Sequence, residues 1–258
     1  MTPLLDILTL RGGGVISIIG AGGKTTLMER LAREIIIRKE TVLTTTTTKI
    51  MMPKGESPDR VIISDQISEV LNRAKDLLSV SGRLTAAQAF LTTEDKLLGF
   101  RAAQIGELEQ GNLFRWILVE ADGARHLSLK APAPHEPVIP SSSHWVIAVV
   151  GLDAIGRPLT DEWVFRSRLF AEISGLELGA AITEESVANA LVHEKGIMKD
   201  CPDGALKYVF LNKAETEDRR LMGRRITHLL QGKGWQRPKR VIIGALERET
   251  EPLEWHGL

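Results

Sequence analysis

Residues 15–26 read Val-Ile-Ser-Ile-Ile-Gly-Ala-Gly-Gly-Lys-Thr-Thr. An apolar run closes on Gly20, Ala21, Gly22 and Gly23. Lys24, Thr25 and Thr26 then open a helical pattern that runs to Arg38. Strand, glycine turn and helix in that order form a phosphate-binding arrangement. Glycine lets the backbone take positive φ and approach a phosphate closely. Successive N–H groups then form an anion-binding nest, and the helix N-terminus adds its unpaired donors and positive dipole end. Lys24 is expected to reach the β- and γ-phosphates, and the Thr25 hydroxyl to ligate Mg²⁺. The spacing is a short form, G-x-G-G-K-T-T. The longer pattern G-x-x-x-x-G-K-[ST] would need glycine where Ile18 stands.

Composition sets the frame around this stretch. The chain has 258 residues, 43% hydrophobic and 26% charged, as in an ordinary globular protein. It is read as one α/β domain over residues 1–258, large enough to bury most of its unfolded surface. Lys plus Arg and Asp plus Glu both number 33, so nothing marks a broad nucleic-acid or membrane surface. The single Cys201 excludes an internal disulfide and any paired-cysteine metal site. No signal segment and no apolar run of membrane-spanning length stand out, so the cytoplasm is the expected compartment.

Apolar runs alternate with helical patterns along the chain. Strands are expected at 15–20, 41–46, 61–64, 115–120, 145–150, 207–211 and 240–243. Helices are expected at 25–38, 67–80, 94–109, 162–174, 184–195 and 217–230, with Thr160 and Thr183 as N-caps. Near-continuous apolar strands suit a parallel sheet covered on both faces, hence a doubly wound, mostly parallel α/β sheet. Ligands in such folds bind at the carboxyl ends of the strands. Residues 131–140 hold four prolines and form a stiff loop over that end, and 246–258 read as a short tail.

Four further stretches fall at strand ends. Leu43-Thr-Thr-Thr-Thr-Thr-Lys49 brings hydroxyls toward the site, with Thr46 a candidate metal ligand and Lys49 a possible charge partner. Trp116-Ile-Leu-Val-Glu-Ala-Asp-Gly123 delivers Glu120 and Asp122, two carboxylates able to hold Mg²⁺ directly or through water. Gly123 completes an E-x-x-G spacing suited to sensing a γ-phosphate. Asp153-x-x-Gly156 competes for that role, with Arg157 beside it. In the segment 125–136, Arg125 or Lys130 can touch a phosphate, while His126, His135 and Glu136 hang near the same face. Finally, Asn212-Lys213-Ala-Glu215 stands where GTPases carry N-K-x-D, which reads the base; here Glu replaces Asp.

In this order the motifs look like those of the metallochaperone branch of the P-loop NTPases. The fold implied is P-loop NTPase-like. More closely, the stretches IIGAGGKTT, LTTTTTKI, ILVEADGARHLSLKAPAPHEPVIP, VVGLDAIGRPLT, LVHEKGIMK and LNKAE resemble the YqeC family and span residues 14–245. The resemblance implies an accessory role in maturing a selenium-dependent molybdenum hydroxylase. Its partners would be a nucleoside triphosphate, that client enzyme or its cofactor pathway, and a second copy in a homodimer. The activity implied is a Mg²⁺-dependent nucleoside triphosphatase using ATP or GTP. Lys24, Glu120 and Asp122 would be catalytic, and Thr25, Thr46, Glu120 and Asp122 would hold the metal. Residues 20–26, Gly123, Asn212, Lys213 and Glu215 would hold the nucleotide. Cys201, beside Pro202, reads as a loop cysteine ahead of a selenium carrier. Two other readings stand. The glycine loop also resembles that of Mur-type ligases, so a small-molecule kinase or ligase is one. A scaffold that senses nucleotide without turnover is the other.

Overall fold

A computed structural model describes residues 2–51, 60–232, 238–248 and 250–258. Residue 249, within the stretch read as a tail, lies outside the described residues. In chain order the elements are α1 (Leu4–Ile7), β1 (Gly14–Gly20), α2 (Lys24–Ile37), β2 (Val42–Thr46), β3 (Lys49–Met51) and β4 (Val61–Ile63). Then come α3 (Ile67–Leu78), β5 (Arg83–Ala87), β6 (Ala89–Leu91), β7 (Lys96–Leu98), α4 (Ala102–Gln110), β8 (Trp116–Glu120), β9 (Leu129–Lys130) and β10 (Ser143–Gly151). The rest are β11 (Val164–Phe165), α5 (Ser167–Ser174), α6 (Glu184–Val192), β12 (Leu206–Asn212), α7 (Glu217–Gln231), β13 (Arg240–Ile243) and β14 (Glu254–Gly257).

Nine strands build the central sheet in the order β14-β13-β12-β10-β1-β8-β2-β5-β4. Every pairing is parallel except that of β14 on β13. The chain leaves β1 toward β2, β5 and β4, returns through β8, and only then crosses to β10, β12 and β13. The direction of winding therefore reverses around β1. In open α/β sheets the crevice for a ligand lies outside the strand carboxyl ends at such a reversal. The glycine turn after β1 occupies that position.

The two faces carry separate cores. Ile16 and Ile18 of β1 pack with Leu27, Leu31 and Ile35 of α2 and Leu4 and Leu5 of α1. Val15 and Ile19 point the other way, into a core holding Val70 of α3, Ile105 of α4, Phe170 of α5, Val187 of α6 and Ile226 of α7. This alternation is the period of two along a strand. The four side chains are fully buried, and each contributes about 1.5–3 kcal/mol relative to an exposed position. An α/β fold with a mostly parallel sheet flanked by helices is what the apolar runs predict. Among the described residues no helix is long and apolar enough to cross a membrane.

Four local expectations are corrected. The helix expected at 94–109 begins only at Ala102; the residues before it form the turn at Asp95 (φ 52°) and β7, which pairs with β6 on one side and β3 on the other. The helix expected at 162–174 starts at Ser167, because Arg166 sits at φ 64° and cannot continue a helix backwards. Its N-cap residue is Arg166; Asp161 accepts from the Ser167 N–H and hydroxyl at 3.0 and 2.9 Å, while the Thr160 hydroxyl has no hydrogen-bond partner. Thr183 does cap α6, accepting from the Ser186 N–H at 3.1 Å. The stretch read as a tail supplies β14, the antiparallel edge of the sheet.

Candidate functional site

The turn after β1 holds Gly20 at φ +89° and Gly22 at φ +82°. A side chain at Gly22 would sit 2.6 Å from the Gly151 nitrogen and 2.9 Å from the Ser128 carbonyl oxygen. Only glycine fits there. Gly23 precedes α2 without any side-chain cap, so the first N–H groups of that helix, at Lys24, Thr25 and Thr26, are not satisfied by a capping side chain. The sequence thus leaves a helix N-terminus bare at the centre of the sheet.

The β8 end stands beside it because β8 pairs with β1, Ile18 opposite Glu120. Asp122 is 1% exposed; its Oδ2 accepts from the Gly20 N–H at 2.9 Å and lies 3.0 Å from Lys130 Nζ. Its Oδ1 lies 3.3 Å from Lys24 Nζ but outside hydrogen-bond geometry. Lys24 donates back to the Gly20 carbonyl at 2.9 Å, and its Nζ stands 3.6 Å from Glu120 Oε1. Thr25 donates to Glu120 Oε2 at 3.0 Å. Lys24, Thr25, Glu120 and Asp122 therefore converge, as their motifs predict.

The charges continue outward. Lys130, 1% exposed, donates to the Gly123 carbonyl at 2.7 Å and to Glu136 Oε2 at 2.8 Å. Glu136 in turn receives Arg166 through two bonds of 2.7 and 3.0 Å. Glu120, Lys24, Asp122, Lys130, Glu136 and Arg166 alternate in sign along one chain of contacts. Burial works against the Lys24 ammonium, yet Asp122 and Glu120 outweigh it and hold its pKa above the ordinary lysine value. Burial pushes the Glu120 carboxyl up, more than Lys24 and Thr25 pull it down. Burial opposes the Glu136 charge as well, but hydrogen bonds from Arg166 and Lys130 bring its pKa down to about 2.

The threonine run is committed to the protein. Thr44 pairs with Thr85 at 2.7 Å, Thr45 donates to the Ala86 carbonyl and Thr47 to the Val138 carbonyl, both at 2.7 Å. Thr46 donates to the Glu120 carbonyl at 2.7 Å and accepts from the Thr48 N–H at 3.0 Å. It sits against the site but buttresses the end of β8. Lys49 turns away to Glu94 at 2.7 Å. The proline-rich loop is held by the Val138 N–H on the Ala121 carbonyl and by Lys199 on the Ala133 and Pro134 carbonyls.

On the β12 side, Asn212 donates to the Gly22 carbonyl at 2.7 Å and accepts from the Leu246 N–H at 2.9 Å. Its amide staples the glycine turn to the loop after β13, a role the N-K-x-E reading missed. Lys213 donates to Ser128 Oγ at 2.7 Å and Asp153 Oδ2 at 2.9 Å, and Glu215 pairs with Arg219 at 2.6 Å. Arg157 lies over the Trp163 ring, 4.6 Å from its centroid. Gly123 has open space where a side chain would stand. Arg166 was missed by sequence reasoning, which put it inside the helix expected at 162–174.

Among the described residues no three His, Cys, Asp or Glu side chains converge as a metal cage. Thr25 Oγ1 and a Glu120 carboxylate oxygen do form the partial oxygen set that Mg²⁺ takes when phosphate and water complete its shell. Cys201 is buried, and burial raises its thiol pKa to about 12. A thiol held neutral is a poor nucleophile. We expect Cys201 to react with a thiol-disulfide reagent at least about a hundredfold slower in the native protein than in guanidinium, on the thiolate argument. Rapid native labelling would show the thiol to be accessible.

A profile of the family described as YqeC protein matches residues 16–168, from β1 into α5. The chain belongs to the YqeC family. It is also similar to "Uncharacterized protein YqeC" of Escherichia coli (strain K12), at 34% identity over 210 residues, covering 81% of this chain and 80% of that relative. The YqeC profile takes in the glycine turn and all six members of the alternating charge chain. Asn212, Lys213 and Glu215 lie beyond it.

Proposed function

We propose that residues 20–26 bind the phosphates of a nucleoside triphosphate with Mg²⁺, in a P-loop NTPase-like site. The observation that carries this reading is the uncapped α2 N-terminus behind a glycine turn, with Lys24, Thr25, Glu120 and Asp122 gathered on it. Bare N–H groups and a positive dipole end favour a polyphosphate. The Lys24 ammonium, now facing two carboxylates, is the charge that phosphate oxygens would take over. Thr25 and Glu120 would hold the metal, which supplies charge neutralisation on the β- and γ-phosphates when bound. Asp122 would keep Gly20 and Lys24 in place, and Asn212 would hold the far wall of the turn.

Membership in the YqeC family adds the wider context. In that context we propose an accessory role for a selenium-dependent molybdenum hydroxylase, with nucleotide state setting attachment to the client. Lys213 and Glu215 are the proposed base contacts, each to be freed from its present partner. Calorimetry with Mg-ATP and Mg-GTP tests the site. The wild type is expected to bind one of them, and Lys24→Ala to weaken it by about a hundredfold, the scale of lost charge-assisted hydrogen bonds. Unchanged affinity in a folded K24A protein would overturn the reading. Glu215→Ala should weaken GTP alone if that carboxylate reads guanine. Phosphate release measured in parallel separates a triphosphatase from a sensor without turnover.

A further inference from the structure

The turn that follows Asp122 bridges the glycine turn from one side to the other. At its start Asp122 accepts from the Gly20 N–H. At its end the Ser128 carbonyl accepts from the Gly151 N–H at 2.8 Å and lies against Gly22. Between them the Leu127 N–H bonds the Ala124 carbonyl at 3.0 Å, with Arg125 at φ 48° and His126 at φ 63°. Two consecutive left-handed residues closed by that bond make a turn normally built from Gly, Asn or Asp. Bulky residues adopt that conformation only against backbone strain. Such strain is retained where the surroundings impose it, often at ligand sites.

The cations around this arch differ in one respect. Lys24, Lys130, Lys213 and Arg166 all face carboxylates. Lys130 donates to Glu136 and the Gly123 carbonyl and is ion-paired with Asp122 as well, so its charge is already matched. Arg125 is exposed, meets no carboxylate among the described residues, and rests over the Phe165 ring 5.0 Å from its centroid. Arg166 lies over the same ring at 4.2 Å and Lys130 Nζ at 5.9 Å, so three like charges gather around one aromatic ring. That position is a resting place from which a phosphate oxygen can draw the guanidinium. Gly123, two residues before it, has nothing within 4 Å of where a side chain would start.

We propose that Arg125 engages the terminal phosphate of the polyphosphate held on residues 20–26. This rests on the nucleotide reading above. Inner phosphates would be enclosed by the glycine turn, whereas the outermost one faces the arch. The test is calorimetry on wild type, Arg125→Ala and Arg125→Lys with Mg-ATP, Mg-ADP, Mg-GTP and Mg-GDP. For the preferred base, Arg125→Ala is expected to weaken the triphosphate about tenfold or more and leave the diphosphate within about twofold. Arg125→Lys should recover part of the loss, since a point charge replaces the two-pronged donor. Because Arg125 is exposed, circular dichroism should show all three proteins equally folded. Equal affinities in wild type and Arg125→Ala would overturn this proposal and leave the nucleotide site standing. Equal weakening of tri- and diphosphate would overturn it too, placing Arg125 on an inner phosphate. A wild type that binds none of the four nucleotides removes both readings together.

Discussion

Asp122→Ala is expected to cost about 3–5 kcal/mol of folding stability, the range for removing one partner from a buried ionic cluster. One substitution removes three things. The Gly20 N–H loses its acceptor, Lys130 loses one of two carboxylates, and Lys24 loses the nearer of its two. Both lysines stay buried, at 6% and 1% exposure, so their charges cannot return to water without opening the site. Asp122→Asn keeps the shape and the acceptor for Gly20 but not the charge, and should fall between wild type and alanine. A double variant, D122A with K130M, removes one charge of each sign and should recover part of the loss. Urea unfolding followed by tryptophan fluorescence measures all three. A cost below about 1 kcal/mol for D122A would mean that the cluster is effectively solvated, as surface ion pairs are.

The second large effect is steric. In Gly20→Ala the new methyl would overlap the Val149 carbonyl oxygen and stand 3.1 Å from the Val149 nitrogen. These are backbone atoms of β10, locked in register with β1 at that residue, so neither can move aside without breaking the central pairing. The left-handed φ of +89° adds strain that glycine does not feel. Backbone strain and overpacking each cost about 1–3 kcal/mol, so a combined loss of about 3 kcal/mol or more is expected. Gly123→Ala is the contrasting control. Nothing stands within 4 Å of its added methyl. Its stability should stay within about 0.5 kcal/mol of wild type, as for ordinary surface changes. Similar melting curves for G20A and wild type would show that β10 yields more easily than its register implies.

Much of the site was legible because its parts are local. A strand ending in glycines and a helix opening on Lys24 need only neighbours in sequence to be recognised. Glu120 and Asp122 were likewise fixed by the apolar strand that carries them. What stayed hidden depends on contacts across the chain. β6 and β7 are three residues each and take strand geometry from pairing with each other and with β3, so 94–101 looked helical on its own. Glu136 and Arg166 meet across 30 residues, with Arg166 at the left-handed position from which α5 starts late. The amide of Asn212 looked like a base reader because sequence cannot show that Gly22 and Leu246 already claim its donor and acceptor.

The place of β1 in the sheet has a consequence for how the protein is made. Its hydrogen-bonded neighbours are β8 and β10, which lie about a hundred residues and more further along the chain. The staple on Gly22 comes later still, from Asn212 and the loop at Leu246. Synthesis runs from the N-terminus, at about 5–20 residues per second. The glycine turn thus leaves the ribosome well before β8, β10 and the loop at Leu246, and becomes a walled site only once they have followed. Pairings this distant in sequence also fold slowly, because the chain must close long loops before they are rewarded. A chain that stops short of Leu246 therefore carries the motif without all of its walls.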